Sequence, residues 1–526
     1  MHGCAVALLQ QAGGACLRFH FISWVTIGFV MSDRYNVLWI QTDEQRPDTL
    51  GCYGSAWART PYVDALAASG VAMTRAFCQA PICCPSRISQ LACRYPAELN
   101  ALSNLGAGHP HGRGRRDVLP ADTVTFPELF QQAGYVTANI GKTHTPWHPA
   151  TWMHNDDLTI FREDASYTAL GPGHDPTALR IVQRPGGHPI IIGGRYPADR
   201  KTPTAEVTDR SLAFLRQHNH EQPFLLRVSY NHPHTPVLPP APFDRLYDDV
   251  DIPVRYYDPD VYKNRSRWDQ AIADRDRMDR LTKSQQRQIW YDYMALAAYV
   301  DAEVGRVLAG LDNLGLRDRT IILFSSDHGR ALGEWGAGEK CMFDDPVWRV
   351  PMVWNCPAIL PASESRDDLC ELMDIGPTLL TLAGLEDRIP PIYRGRNLFG
   401  DAPAPKAVFG QIGWPDLKTE IFAPSELDSY AQSMNGVPVY NAPMRLAVRT
   451  DRYRLDVSWM HEGQRLAPTD GNLFDLHADP HETTNLWNQP AVASEKSRLL
   501  SLLETHFCSL SCDPRLISVT APEIAL

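Results

Sequence analysis

Four apolar runs constrain this chain more than any other feature, because none alternates with polar residues and each ends in side chains that can do chemistry. "YNVLWIQT" runs into Asp43 and Glu44, and "YVTANIG" into Lys142 and His144. "PFLLRVSYN" runs into His232 and His234, and "TIILFSS" into Asp327, His328 and Gly329. Continuous apolar runs of this length mark strands buried on both faces. Helical patterns separate them: "TFPELFQQAGY" stops at Gly134, and "YDYMALAAYVDAEVGRVLAGLDNLG" is a long amphipathic stretch leading into the fourth run. Strands alternating with helices predict an α/β chain whose mainly parallel sheet is covered on both sides. Ligands of such sheets bind at the carboxyl ends of the strands, and all four reactive clusters fall there.

With 526 residues, 44% of them hydrophobic, the chain has room for one large domain and a smaller one. Residues 31–400 read as the catalytic domain, with segments 148–200 and 238–286 inserted over the crevice. From residue 401 the pattern changes to short strand-like pieces such as "MRLAVRTDRYRLDVSW", then a helix at 493–507, so 401–526 reads as an antiparallel subdomain with a tail suited to a homo-oligomer interface. Residues 1–30 contain "FHFISWVTIGFVM", too short to span a bilayer and without a small-residue cleavage site. They read as a disordered leader or a mis-assigned start. Translation from Met31 implies a cytoplasmic protein, with a periplasmic or secreted one as the alternative, and no membrane partner is expected.

The net charge of -11 argues against a nucleic-acid surface, so an anionic substrate must be drawn by local cations. The twelve cysteines form no disulfide framework and read mostly as buried apolar residues. The basic loop "GHPHGRGRR", 108–116, reads as solvated, and His109, His111 and His232 as surface or satisfied core residues.

Asp43, Glu44, Asp327 and His328 together offer three carboxylates and an imidazole, a donor set for one divalent ion: calcium, with manganese or magnesium as alternatives. Against this stands the ordinary use of aspartate after a strand as a cap or turn residue. Lys142, His144, His234 and Lys340 add cations and proton donors, the surroundings needed to neutralise a tetrahedral oxyanion in sulfuryl or phosphoryl transfer. In "PICCPSRISQLACRYP" Pro85 suits the first turn of a helix, which puts Cys83 just ahead of its positive end and Arg87 one turn on. These residues leave open whether the thiol is a nucleophile, a metal ligand or a precursor.

C-x-P-S-R followed by "LACRYP" resembles the type I sulfatase signature, and its company extends the resemblance from residue 35 to 490: "NVLWIQTDEQRPDTLGCYG", "GYVTANIGKTH", "SYNHPHTP", "FSSDHG", "GEKCMFDDPVWRVPMV", "DIGPTLLTLAGL" and "LFDLHADPHETTNL" match in order. The resemblance implies an alkaline-phosphatase-like α/β/α sandwich with a small C-terminal antiparallel subdomain. It also implies that a formylglycine-generating enzyme oxidises Cys83 to Cα-formylglycine, Cys84 being the variable position. One hydroxyl of the hydrated aldehyde would attack the sulfur of a small anionic sulfate ester, with His234 and Lys340 assisting the leaving oxygen. His144 would deprotonate the second hydroxyl, expelling sulfate, while Arg87 and Lys142 steady the group and the ion sits on Asp43, Glu44, Asp327 and His328.

Three residues depart from the family pattern: Glu44 for the usual aspartate or glutamine, Cys93 for glycine, and Asp345 for glutamate. The nearest rival is a phosphonate monoester or phosphodiester hydrolase with the same formylglycine. Enzymes of that kind resemble this chain at Cys83, His234, Lys340, Asp327 and His328 but lack the Lys142 and His144 pair. A two-metal phosphatase would need a second ligand set that the sequence does not assemble, and a binding protein with a plain thiol would leave every catalytic position occupied without use.

Overall fold

The computed structural model describes residues 34–99, 101–102, 104, 119–146, 151–159, 179–182, 190–413, 444–459 and 470–509. The expectations for residues 1–30, for the basic loop at 108–116 and for most of the first insertion lie outside these residues. In chain order the strands are β1 (Asn36–Asp43), β2 (Val71–Phe77), β3 (Val136–Gly141), β4 (His154–Asp157), β5 (Arg180–Val182) and β6 (Ile190–Gly193). There follow β7 (Phe224–Pro233), β8 (Thr320–Ser326), β9 (Arg349–Val350), β10 (Met352–Asn355) and β11 (Glu364–Glu371). Nine of these form one sheet in the order β11-β2-β10-β8-β1-β7-β3-β4, with β9 beside β2, while β5 and β6 make a separate ribbon.

β1 lies between β7 and β8 and runs parallel to both, and β3 runs parallel to β7 and β4. β10, inserted antiparallel between β8 and β2, is the main departure from a purely parallel sheet. Every residue of β7 and β8 is buried. Along β1 the side chains alternate between two cores: Leu38 and Ile40 pack with Val300, Val304 and Val307 on one side, Val37 and Trp39 with Phe126 and Phe130 on the other. Alternation between two apolar layers is what makes the strand read as unbroken in the sequence.

The long helix is Lys283–Asn313, eight residues longer at its start than the amphipathic pattern from Tyr291 suggests. Its polar first turns are set by a capping box between Thr282 and Gln285. The second insertion braces the loop that carries Lys340. Trp268, in the helix Arg267–Asp276, donates to the carbonyl of Cys341 at 2.7 Å, and Gly338 lies so close to Met278 that a Cβ would meet its Cε at 1.8 Å.

A second sheet, β12 (Ala407–Ile412), β13 (Met444–Thr450), β14 (Tyr453–Trp459) and β15 (Gly471–Asp475), is antiparallel throughout, and the helix Ala493–Ser509 follows it. Buried charges tie it to the rest. Arg454 on β14 reaches Asp344 at 2.8 Å, Glu482 at 2.5 Å and Asp456, while Arg265 of the second insertion reaches the same Asp344 and the Glu482 carbonyl at 2.9 Å. Among the described residues no helix is long and apolar enough to cross a membrane.

Candidate active site

The parallel register of β8, β1, β7 and β3 puts their carboxyl ends on one edge, and the four clusters follow directly. Asp43 closes β1, and Glu44 then turns into the left-handed region at φ 61°, which separates the two carboxylates. Asp327 and His328 follow β8, Lys142 follows β3, and His234 follows β7. The helix Cys83–Ala92 completes the set. Its N-cap is Ile82, extended at φ -158° and ψ 143°, so Cys83 is the first helical residue rather than one ahead of it. Ser86 of this helix donates to the Asp327 carbonyl at 2.6 Å, which ties the helix to the end of β8.

The buried Cys83 sulfur is the focus. Lys340 Nζ lies 3.1 Å from Sγ, His328 Nε2 3.2 Å, Lys142 Nζ 3.7 Å and Asp43 Oδ1 3.8 Å, and His144 also bonds to the thiol. Burial alone would push this thiol up. The Lys142 and Lys340 ammoniums, then His328 and His144, outweigh it and hold the group well below its ordinary value. Burial pulls His144 down, so its imidazole is a base rather than a standing cation.

Arg87 binds the two strand ends together. Its Nη2 donates to Asp43 at 2.8 Å, Nε to Asp327 at 2.8 Å and Nη1 to Ser229 at 3.0 Å. Asp327 also accepts backbone N–H bonds from His328 at 2.9 Å and Glu44 at 3.1 Å. Burial nevertheless raises its carboxyl to about 6, against the Arg87 charge. Asp43 goes the other way: burial and the Cys83 charge raise it, but Lys142, His234 and Arg87 more than reverse them. His328 rises to about 9 despite burial, because Asp327 and the Cys83 sulfur face it.

All ten residues singled out from the sequence converge here, but not as one set. Asp43, Cys83, Asp327 and His328 bring their ligand atoms within 4.8 Å of one another, whereas Glu44 joins Asp43, Cys83 and His234 in a second group. Two carboxylates and an imidazole around residue 83 fit a hard divalent ion better than zinc thiolate chemistry. His232 is buried and hydrogen-bonds Thr204 at 2.7 Å, a satisfied core residue as expected. Two arginines were missed. Arg330, 2.5 Å from Glu44, stands three residues after Asp327, and that closeness to the end of the fourth run was the available signal. Arg227 lies on β7 between the rings of Trp39 and Trp152, its Nη2 3.4 Å from the Lys142 carbonyl. A single arginine inside the apolar run "PFLLRVSYN" was the available signal.

The family model for sulfatases matches residues 35–385, which include each of these side chains. The chain belongs to the sulfatase family. The iduronate 2-sulfatase of Mus musculus is 31% identical to this sulfatase over 87% of its chain and 91% of the relative. An N-acetylglucosamine-6-O-sulfatase of Bacteroides thetaiotaomicron is 24% identical over 90% and 86%. The phosphonate monoester hydrolase of Silicibacter pomeroyi superposes with a TM-score of 0.70 at 24% identity, covering 91% and 96%, a likeness of fold. The sulfatase thus hydrolyses sulfate esters on an alkaline-phosphatase-like scaffold. Its family generally carries a metal and a formylglycine, and the Asp43, Asp327 and His328 cluster beside Cys83 suits both.

Proposed function

We propose that the sulfatase cleaves a small sulfated sugar at this cluster, with residue 83 as the nucleophilic position once its thiol has been oxidised to formylglycine. Asp43, Asp327 and His328 would hold one divalent ion, calcium being the best match to a carboxylate-rich site and manganese or magnesium the alternatives. When in place, the ion supplies Lewis acidity and the hydrated aldehyde a pair of hydroxyls, one to attack sulfur and one to release sulfate. The Cys83 sulfur marks where those oxygens would lie.

The observation that carries the reading is the crowd around that atom. Lys142 and Lys340 neutralise negative charge at position 83, and Arg87 fixes Asp43 and Asp327 in the geometry that faces it. His144, kept a base by burial, is placed to take a proton from position 83. Lys340, 3.1 Å from the Cys83 sulfur, and His234 beside it would supply the proton to a departing oxygen. The two relatives described above are named for sulfated sugars, which supports that substrate class over aryl or alkyl sulfates.

The tryptic peptide "AFCQAPICCPSR", residues 76–87, taken from active protein, carries the test. An aldehyde in place of the Cys83 thiol is expected, with Cys78 and Cys84 intact. Three intact thiols in protein that still turns over would sink the proposal. Rates on sulfate esters and on phosphodiesters, measured on the same preparation, are expected to favour sulfate.

A further inference from the structure

Glu44 was expected to be a metal ligand, yet its carboxylate is surrounded by cations. Oε2 accepts from Arg330 Nη1 at 2.5 Å, Oε1 accepts from Lys340 Nζ, and His234 Nε2 lies 3.4 Å from Oε1. Lys340 Nζ is also 3.1 Å from the Cys83 sulfur, so one ammonium bridges Glu44 and the nucleophile position. His234 Nδ1 faces the Thr235 carbonyl at 2.6 Å. A carbonyl only accepts, so Nδ1 carries a hydrogen and Nε2 is the nitrogen presented to Glu44 and residue 83.

The ligand atoms divide the same way. Asp327 and His328 close on Asp43 and Cys83, whereas Glu44 closes on Asp43 and Cys83 only together with His234. Arg330 is buried and permanently charged, so an ion placed on Glu44 would share a low-dielectric pocket with a guanidinium and an ammonium bound to the same carboxylate. The Glu44 main chain is held as firmly as its side chain: its N–H donates to Asp327 at 3.1 Å, and its carbonyl accepts from Tyr293.

We infer that Glu44 serves the leaving group and not the ion: it is the anchoring carboxylate that places Lys340 and His234, and Arg330 is its fixed counter-charge. This rests on the sulfate-ester reading. As the bond from sulfur to the leaving oxygen breaks, its electron pair stays on that oxygen, which takes a proton from the Lys340 and His234 side. Glu44 and Arg330 are positioning residues, since neither touches the reacting atoms.

Two readouts on matured protein test this: calcium content and affinity, and kcat/KM across aryl and alkyl sulfates whose leaving groups range from acidic phenols to alcohols. Glu44→Gln is expected to keep one calcium with affinity within about threefold of wild type, while Asp43→Asn, a ligand control, loses about a hundredfold or more. Glu44→Gln should lose about tenfold in kcat/KM with a nitrophenyl leaving group and about a thousandfold with an alkyl one, the range of a misplaced general acid. Arg330→Gln should show the same slope, less steeply, and decides the matter by both readouts if Glu44→Gln does not fold. Calcium lost from Glu44→Gln as from Asp43→Asn, or a rate loss equal for every leaving group, would overturn the inference. A wild type inert toward all sulfate esters would overturn the reaction class instead, and the calcium readout would still decide whether Glu44 is a ligand.

Discussion

Cys93, which stands where the family pattern has glycine, shows how a side chain can be accommodated at a turn that favours none. It caps the helix that begins at Cys83 and sits at φ 52°, a left-handed position that glycine takes at no cost and other residues at about 1 kcal/mol. Its thiol offsets that by filling the space above Gly376, where an added Cβ would meet Sγ at 2.3 Å and Phe126 at 3.0 Å. The two positions therefore form one unit. Gly376→Ala is expected to destabilise the wild type by about 1–3 kcal/mol and the Cys93→Gly protein by much less, a coupling that urea unfolding of the double-mutant cycle reads directly. Equal costs in both backgrounds would show that the contact does not matter. The departure itself was legible in the sequence, but its compensation was not, because Cys93 and Gly376 meet only in the fold.

At the scale of elements, the strands were legible and the pairings between distant loops were not. β1, β3, β7 and β8 lie where the unbroken apolar runs put them, because burial on both faces leaves no polar alternation to blur the pattern. The start of the helix at Lys283 was missed because its first turns are polar, and the bond between Glu44 and Arg330 because 286 residues separate them.

The end of β11 carries a further long-range feature. Glu371 is buried there, accepts from the Tyr95 hydroxyl at 3.0 Å and lies near Asp374. Burial first, then the Asp374 charge, raise its carboxyl from 4.5 to about 8. The folded state thus holds this proton more tightly than the unfolded chain does. The resulting stabilisation is complete below pH 4.5 and is lost as pH rises to about 8. Relative to Glu371→Gln, which has no proton to lose, wild-type stability should fall by up to about 1.4 kcal/mol per pH unit between about pH 5 and 8, then level off. Denaturant unfolding of both proteins across that range checks the slope, and parallel curves would refute it.

For the whole molecule, the junction between the two sheets holds a buried ionic network beside its apolar core. Arg454, Asp344, Asp456, Glu482 and Arg265 are all shielded from water and pair with one another, and Arg445 and Asp269 extend the network at Asp456 and Arg265. Arg454→Ala would leave Asp344 to Arg265 alone and take from Glu482 its ion-pair partner, at about 3–5 kcal/mol, whereas a well-packed Arg454→Met combined with neutral partners would cost far less. Thermal unfolding should show the single variant melting early in one step if the sheets form one cooperative unit. An early transition confined to the second sheet would show that they do not.

The same junction sets a schedule. Cys83 is 1% exposed in the finished fold, so an enzyme that modifies its thiol must reach it before the helix beneath it is packed. Glu482, which pairs with Arg454 and receives the N–H of Asp345 at 2.9 Å, leaves the ribosome about 400 residues after Cys83, or about 20–80 s later at ordinary rates of synthesis. Were an enzyme to oxidise this thiol, it would race the completion of the fold, and slowing translation between the two positions would lengthen the time in which the cysteine can be reached.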